Sequence, residues 1–329
     1  MYPIKKDKIL AVLAPMDDVT DTVFRQIVDK CSPPDLTFTE FVNVDGLNSP
    51  GRSKLIKKLK FADSEKHLIA QIWGLNPDNF YTTAKQIADG SLAKELGVKG
   101  NFIGVDLNMG CPQKNEVNSG ACAALMNNRA LAKDIIEATK KGLNSRLPLS
   151  IKTRLGYTDI DYSWPEFLLN QNIDMLTIHG RTKRQKSKDK ANWEAIGSIR
   201  ELRDKMTPKT LIVGNGDVLS RKQGEELAKR YNLDGIMIGR GVFQDPFIFS
   251  KNSPWNNYTK EQKIRLFKKH VELFNKTWRP QDKPMVVLNK FCKVYINDFE
   301  GAKELRNELM HCRDIDDLTS KLDFVRSHV

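Results

Sequence analysis

Cys111 stands between Gly110 and Pro112, just after an apolar run that closes on Asn108. Glycine lets the chain turn and proline prevents it from continuing as strand or helix, so the sequence presents a thiol at the end of a strand. Buried structural cysteines usually lie inside apolar periodic runs, whereas this setting is one where side chains face a cleft. On this feature alone a reactive thiol and a plain loop cysteine both stay open. Lys152 is the second residue that asks for a chemical explanation. It is flanked by Ile151 and Thr153 in an apolar run, where an ammonium is costly unless it meets a ligand or a partner.

Other polar or glycine-rich segments close neighbouring apolar runs. They are Ala14-Pro15-Met16-Asp17, Gln71 within 68–73, Arg154 at the end of 149–154, His179-Gly180-Arg181, Gly214-Asn215-Gly216-Asp217 and Gly239-Arg240-Gly241. Two glycine-rich ends in succession suit a phosphate, because backbone amides can approach an anion closely there. Gly214 and Gly216 begin a dinucleotide-type GxG, but Leu219 occupies the third glycine's place and weakens a Rossmann reading. A phosphate site, an inward lysine and a strand-end histidine together fit flavin mononucleotide (FMN), whose anionic reduced ring a nearby cation stabilises. Taken alone, His179 is more simply a satisfied core residue.

The elements that must position these residues are legible as eight short apolar runs, at 9–16, 36–42, 68–73, 102–108, 149–154, 175–179, 211–214 and 235–238. Helical segments alternate with them, at 21–30, 77–96, 129–143, 164–171, 193–206 and 220–231, with a short one at 242–249 and a small basic helix around 54–60. Ser220 is the expected N-cap of its helix. Near-continuous apolar strands covered by helices indicate a parallel sheet, and the count of eight favours a closed (β/α)8 TIM barrel of the α/β class over an open doubly wound sheet. After about residue 250 the rhythm becomes wholly helical. Ile264, Phe267, Val271 and Phe274 form one apolar face, and further helices are expected at 285–299, 301–311 and 314–326. The sequence therefore divides into a barrel at 1–250 and a small all-helical domain at 251–329.

Bulk composition narrows the partners. Lys and Arg number 53 against 41 Asp and Glu, giving a net charge of +12, which suits a polyanionic partner or a lysine-rich proteome equally. Residues 251–329 hold 16 basic against 11 acidic residues, which a solvated helical surface would also show. The 5 cysteines are scattered without a CxxC pair, so neither a disulfide framework nor a metal site is indicated. No long apolar segment suggests a leader or membrane span, and a soluble, cytoplasmic monomer without an obligate protein partner is expected.

The ordered set APMDDVTD, DLNMGCP, KTRLG, HGRT, GNGDV and IGRG, spread over residues 9–250, resembles the tRNA-dihydrouridine synthase family. The resemblance implies an FMN enzyme that uses NADPH to reduce the C5=C6 bond of a uridine in tRNA. By motif it places Pro15, Met16 and Asp17 along the FMN, Gln71 and Lys152 at its ring, and His179 close by. It places Asn215, Gly216, Asp217, Gly239 and Arg240 at its phosphate end. Cys111 becomes the proton donor and Asn108 faces the target uracil. Arg154 and Arg181 join Asn108 as substrate-binding candidates, and the helical tail is expected to grip tRNA.

Chemistry agrees with these roles. Hydride delivered to C6 leaves negative charge that a proton at C5 must quench, and an ordinary thiol near pKa ~8.5 is mostly protonated at rest. The uridine must leave its stack to be reached. Residues 183–190 hold five cations and one acid, and Lys183, Arg184 and Lys186 are the leading phosphate contacts. The sequence departs from the family's usual pattern at Asp17-Asp18 and at Glu116, Asn118 and Cys122, the last read as a small core residue. A free-pyrimidine FMN barrel such as a dihydroorotate dehydrogenase, and an RNA-binding scaffold without chemistry, are the competing classes. The basic loop and tail speak against the first, and the retained thiol, lysine and glycines against the second.

Overall fold

The computed structural model describes residue 2 and residues 8–327, with side chains through 324. Most of the N-terminal stretch read above for a leader, residues 1 and 3–7, lies outside the described residues. The chain forms two compact units, Met1–Thr22 with Pro34–Gly239, and Val23–Pro33 with Arg240–Val329. No helix among the described residues is long and apolar enough to cross a membrane.

The first unit is a parallel (β/α) barrel. Its strands are β1 (Leu10–Leu13), β2 (Thr37–Phe38), β3 (Val42–Asn43), β4 (Leu68–Trp73), β5 (Gly104–Met109), β6 (Leu149–Arg154), β7 (Met175–His179), β8 (Leu211–Asn215) and β9 (Gly235–Ile238). They pair in the order β1-β9-β8-β7-β6-β5-β4-β2, with β3 also on β4, and the Val12–Leu36 bridge joins β1 back to the β2 segment. Each expected run is thus a strand, except that 36–42 is split in two. The split has a local cause: the Gln71 N–H is taken by the Thr39 hydroxyl at 3.0 Å instead of a ladder carbonyl.

Register decides what faces the barrel axis. Gln71 lies opposite Asp106, Asp106 opposite Ser150, Asn108 opposite Lys152, Arg154 opposite His179, and His179 opposite Asn215. Because side chains alternate faces along a strand, these polar residues share one side of the sheet in successive layers. The layers at the opposite end are apolar, with Leu10, Leu36, Ile69, Met175 and Val213 packed around Tyr2. Polarity therefore concentrates at the carboxyl ends of the strands, where this fold carries its chemistry.

The covering helices follow local signals. Asn128, Asn192 and Ser220 cap the helices Arg129–Leu143, Trp193–Met206 and Arg221–Arg230 by accepting from backbone N–H groups. The helix expected at 77–96 is two, Pro77–Ala88 and Ser91–Glu95, broken where Gly90 adopts φ +78°.

The second unit is helical. Thr259 and Gln262 form a capping box that opens the helix Lys260–Thr277, whose Ile264, Phe267, Val271 and Phe274 are buried as their spacing requires. The helix expected at 242–249 is a 3-10 turn at Arg240–Phe243, ended by an Asp245 side chain that accepts from the Phe247 N–H at 2.7 Å, with Pro246 between them. The segment 285–299 is a 3-10 turn, Met285–Leu288, and a short helix, Asn289–Tyr295; helices Ala302–Met310 and Ile315–Ser327 follow.

Candidate active site

The turn after β5 is organised by one amide. Asn108 Oδ1 accepts from the N–H groups of Gly110 at 3.1 Å and Cys111 at 3.0 Å, which folds the chain back and lifts the thiol off the strand end. Gly110 allows the close approach, since a Cβ there would meet the Thr153 backbone at 3.0 Å. The Asn108 Nδ2 donates to Gln71 Oε1 at 3.3 Å, Gln71 Nε2 donates to Asp106 Oδ2 at 2.7 Å, and the Ser150 hydroxyl donates to Asp106 Oδ1 at 2.6 Å. Both amides are fixed in orientation by this sequence of donors and acceptors.

Burial raises the Asp106 carboxyl to about 6, against the hydrogen bonds of Ser150 and Gln71 and the charge of Lys152. Burial lowers the Lys152 ammonium to about 8, Arg154 adding to the shift while Asp106 and Cys111 oppose it. Lys152 has no hydrogen-bond partner among the described residues. A half-buried ammonium left open at the strand ends matches a ligand that supplies an acceptor.

Cys111 is half-buried, and its sulfur is hydrogen-bonded to the thiol of Cys122. That bond leads in holding the Cys111 thiol below its ordinary range, with the Gln113 backbone and Arg154 assisting and burial and Glu116 opposing. Burial and the bond to Cys111 push the Cys122 thiol up. Cys122 is fully enclosed, as a small core residue would be, but it is also the partner of Cys111, so the thiol is not the unperturbed one expected from sequence.

Arg154 turns its donors inward. Its Nε bonds the Gly110 carbonyl at 2.8 Å, and its Nη1 bonds the carbonyls of Thr182 at 3.2 Å and Lys186 at 2.9 Å. The arginine thereby ties the Cys111 turn to the basic loop. Arg181 does similar work one strand along: Nη2 meets both oxygens of Asp217 at 2.7 and 2.5 Å, and Nε bonds the Asp189 carbonyl at 2.5 Å. Its Nη1 lies 3.1 Å from His179 Nε2, and because a guanidinium only donates, that contact suits an Nε2 that accepts.

At the ends of β8 and β9, Gly216 adopts φ +130°, and the N–H groups of Gly216 and Gly239 have no hydrogen-bond partner among the described residues. Asn215 is held by its Nδ2, which donates to the Met237 carbonyl at 2.8 Å. Arg240 opens the second unit. Pro15 and Met16 are half-buried after β1; Asp17 is exposed and paired with Lys58 at 2.5 Å. Asp17, Asp18 and Glu40 gather their carboxylates within 4.8 Å of one another. In the basic loop, Lys183 lies over the Tyr157 ring at 4.3 Å, Arg184 pairs with Asp159 at 2.8 Å, and Lys186 is exposed.

A family model described as dihydrouridine synthase matches residues 12–328. The chain belongs to the dihydrouridine synthase family. Among curated relatives, a probable tRNA-dihydrouridine synthase of Staphylococcus aureus (strain COL) is 41% identical over 315 residues, covering 95% of this chain and 92% of the relative. The probable tRNA-dihydrouridine synthase 2 of Bacillus subtilis (strain 168) is 41% identical over 316 residues with the same coverage. The solved histamine dehydrogenase of Rhizobium sp. 4-9 shares the fold, with a TM-score of 0.53 at 14% identity over 80% of this chain, which spans 48% of that protein.

Within this dihydrouridine synthase family member, sequence reasoning passed over Asp106, Ser150, the Cys122 contact and Tyr157. Asp106 carried a usable signal: it stands two residues before Asn108 in an apolar strand, hence on the same face. The Cys122 contact carried none, because it depends on how the segment after Pro112 returns to the turn.

Proposed function

We propose that this chain is a tRNA-dihydrouridine synthase that reduces the C5=C6 bond of a uridine in tRNA, with FMN as cofactor, NADPH as reductant and Cys111 as proton donor. The observation that carries the reading is the Asp106–Gln71–Asn108 series holding the Cys111 turn beside an unpartnered Lys152. Bound FMN would supply hydride to C6 of the uracil.

The residues present fit that cofactor. Lys152 offers a half-buried donor without a protein partner for an electron-rich ring edge, and the open amides of Gly216 and Gly239 suit a phosphate. Pro15, Met16 and Asp17 would border it, Gln71 and His179 would lie near its ring, and Asn215, Asp217 and Arg240 would support its phosphate end. Cys111 would protonate C5, its thiol aimed by Asn108. The Cys122 contact that lowers the thiol favours the thiolate left behind once the proton is given. Arg154 and Arg181, both buried and engaged with the protein, would act on substrate by positioning the Cys111 turn, His179 and the loop at 183–190. Lys183, Arg184 and Lys186 of that loop would meet phosphates, and the helical region at 251–329 would grip tRNA.

Purified protein should be yellow, release FMN on denaturation, and oxidise NADPH anaerobically beyond one equivalent per FMN only when unmodified tRNA is supplied. Turnover on free uracil or orotate without turnover on tRNA would replace this reading with a small-molecule reductase. Colourless protein that cannot be loaded with FMN would remove both.

A further inference from the structure

The second unit holds a cleft of about 480 Å³ that plays no part in the chemistry described above. Its floor is apolar, from Ile27 and Leu273, and Phe247 and the half-buried Tyr258 form an aromatic wall, their rings 5.1 Å apart edge to face. Three lysines rim it. Lys269 and Lys276 come from the outer face of the helix Lys260–Thr277, and Lys30 from the last turn of the helix Thr22–Cys31. None of the three has a salt bridge or hydrogen bond among the described residues. The one acid on the rim, Glu272, faces Lys268 at 3.7 Å.

Three like charges around an apolar floor repel one another unless an anion comes between them. An inorganic anion has no use for the aromatic wall, and a neutral apolar ligand leaves the lysines unmet. A nucleotide satisfies both, with a flat π face for the ring and a phosphate for the ammonium groups. The volume lies within the range of small-ligand clefts. We propose that this cleft holds one unstacked nucleotide of the RNA substrate, its base against Tyr258 and its phosphate among Lys30, Lys269 and Lys276. This rests on the reading of tRNA as substrate. It would make the helical unit read a splayed base in addition to tracking the backbone.

The test uses full-length protein and an unmodified tRNA transcript, with filter binding across a salt series and dihydrouridine formation measured together. Lys269→Glu with Lys276→Glu should raise both Kd and KM about tenfold or more, leave kcat unchanged, and make the salt dependence shallower by about two phosphates' worth. Tyr258→Ala should raise Kd about tenfold with the salt slope unchanged, and Tyr258→Phe should restore it. Lys229→Glu, on an exposed barrel helix, serves as the control. In unmutated protein, a transcript carrying 4-thiouridine should cross-link to the peptide around Tyr258, which covers the case that Tyr258→Ala fails to fold. Wild-type affinity and slope in the lysine variant overturn the proposal. So does a loss confined to the lysine variant, which reduces the cleft to a backbone contact, and so do cross-links that avoid that peptide. Binding to phosphatidylglycerol vesicles that the lysine variant loses, with RNA affinity intact, assigns the cleft to a lipid surface and overturns it as well. Filter binding reads the cleft even if wild-type protein forms no dihydrouridine, so failure here and failure of the functional reading are separable.

Discussion

Asn108 Oδ1 holds the backbone N–H of Cys111 at 3.0 Å, so the aim of the thiol is set by a side chain that is itself held by Gln71. Asn108→Ala leaves two N–H groups of the turn without their acceptor. The expected result is about 1–3 kcal/mol of lost stability in urea unfolding and a 10- to 100-fold lower kcat from a displaced thiol. A variant with wild-type kcat would show that the turn keeps its shape without the amide.

Asp106 gives the fold a pH dependence of definite sign. Its folded value, raised to about 6, lies above the unfolded carboxylate range, so the native state holds the proton more tightly. Its contribution is therefore complete below about pH 4 and lost as the pH climbs to about 6. Relative to Asp106→Asn, wild-type protein should lose on the order of 3 kcal/mol across that window, measured by denaturant unfolding at several pH values. Parallel pH profiles for the two proteins would place the titration elsewhere.

Arg154 bonds the Gly110, Thr182 and Lys186 carbonyls together. Lysine cannot reproduce that planar fork. Arg154→Lys should cost about 2–4 kcal/mol and speed proteolytic cleavage within 183–190, with the native loop as reference. Unchanged cleavage would mean the loop keeps its shape through its other contacts.

Cys122 can be tested without any turnover. Its hydrogen bond lowers the Cys111 thiol, so Cys122→Ala should move the pH profile of Cys111 alkylation by iodoacetamide to higher pH, slowing the reaction at neutral pH. Residue 122 already sits at φ +53°, so alanine adds no backbone strain that cysteine lacks. Superimposed profiles would rule out the thiol contact as the cause.

The strands and most helices were legible because apolar runs and caps are local, and Arg129–Leu143 and Trp193–Met206 end where their side chains predict. The split of 36–42 was not, since it turns on one hydroxyl meeting a neighbouring strand. At the site, the types of Cys111, Asn108, Lys152 and Arg154 were readable from position. Their partners were not: whether an arginine reaches outward to a phosphate or inward to three carbonyls depends on loops that converge only in the fold. The 183–190 loop shows the same limit, because its charge is visible in sequence while the Lys183 contact with Tyr157 and the Arg184 pair with Asp159 are not.

The most direct test of the central claim is a single-turnover measurement of dihydrouridine in unmodified tRNA, using FMN-loaded, pre-reduced protein with Cys111 or with Cys111→Ala. Wild-type protein should convert one uridine, seen as a 2 Da mass gain in the nucleoside, a figure of about two hydrogens fixed by the reaction. Cys111→Ala should retain flavin and tRNA binding while forming product about 100-fold more slowly or worse. Equal product from both proteins would contradict the assignment of Cys111 as the acid, and no dihydrouridine from wild-type protein on any tRNA would contradict the function itself.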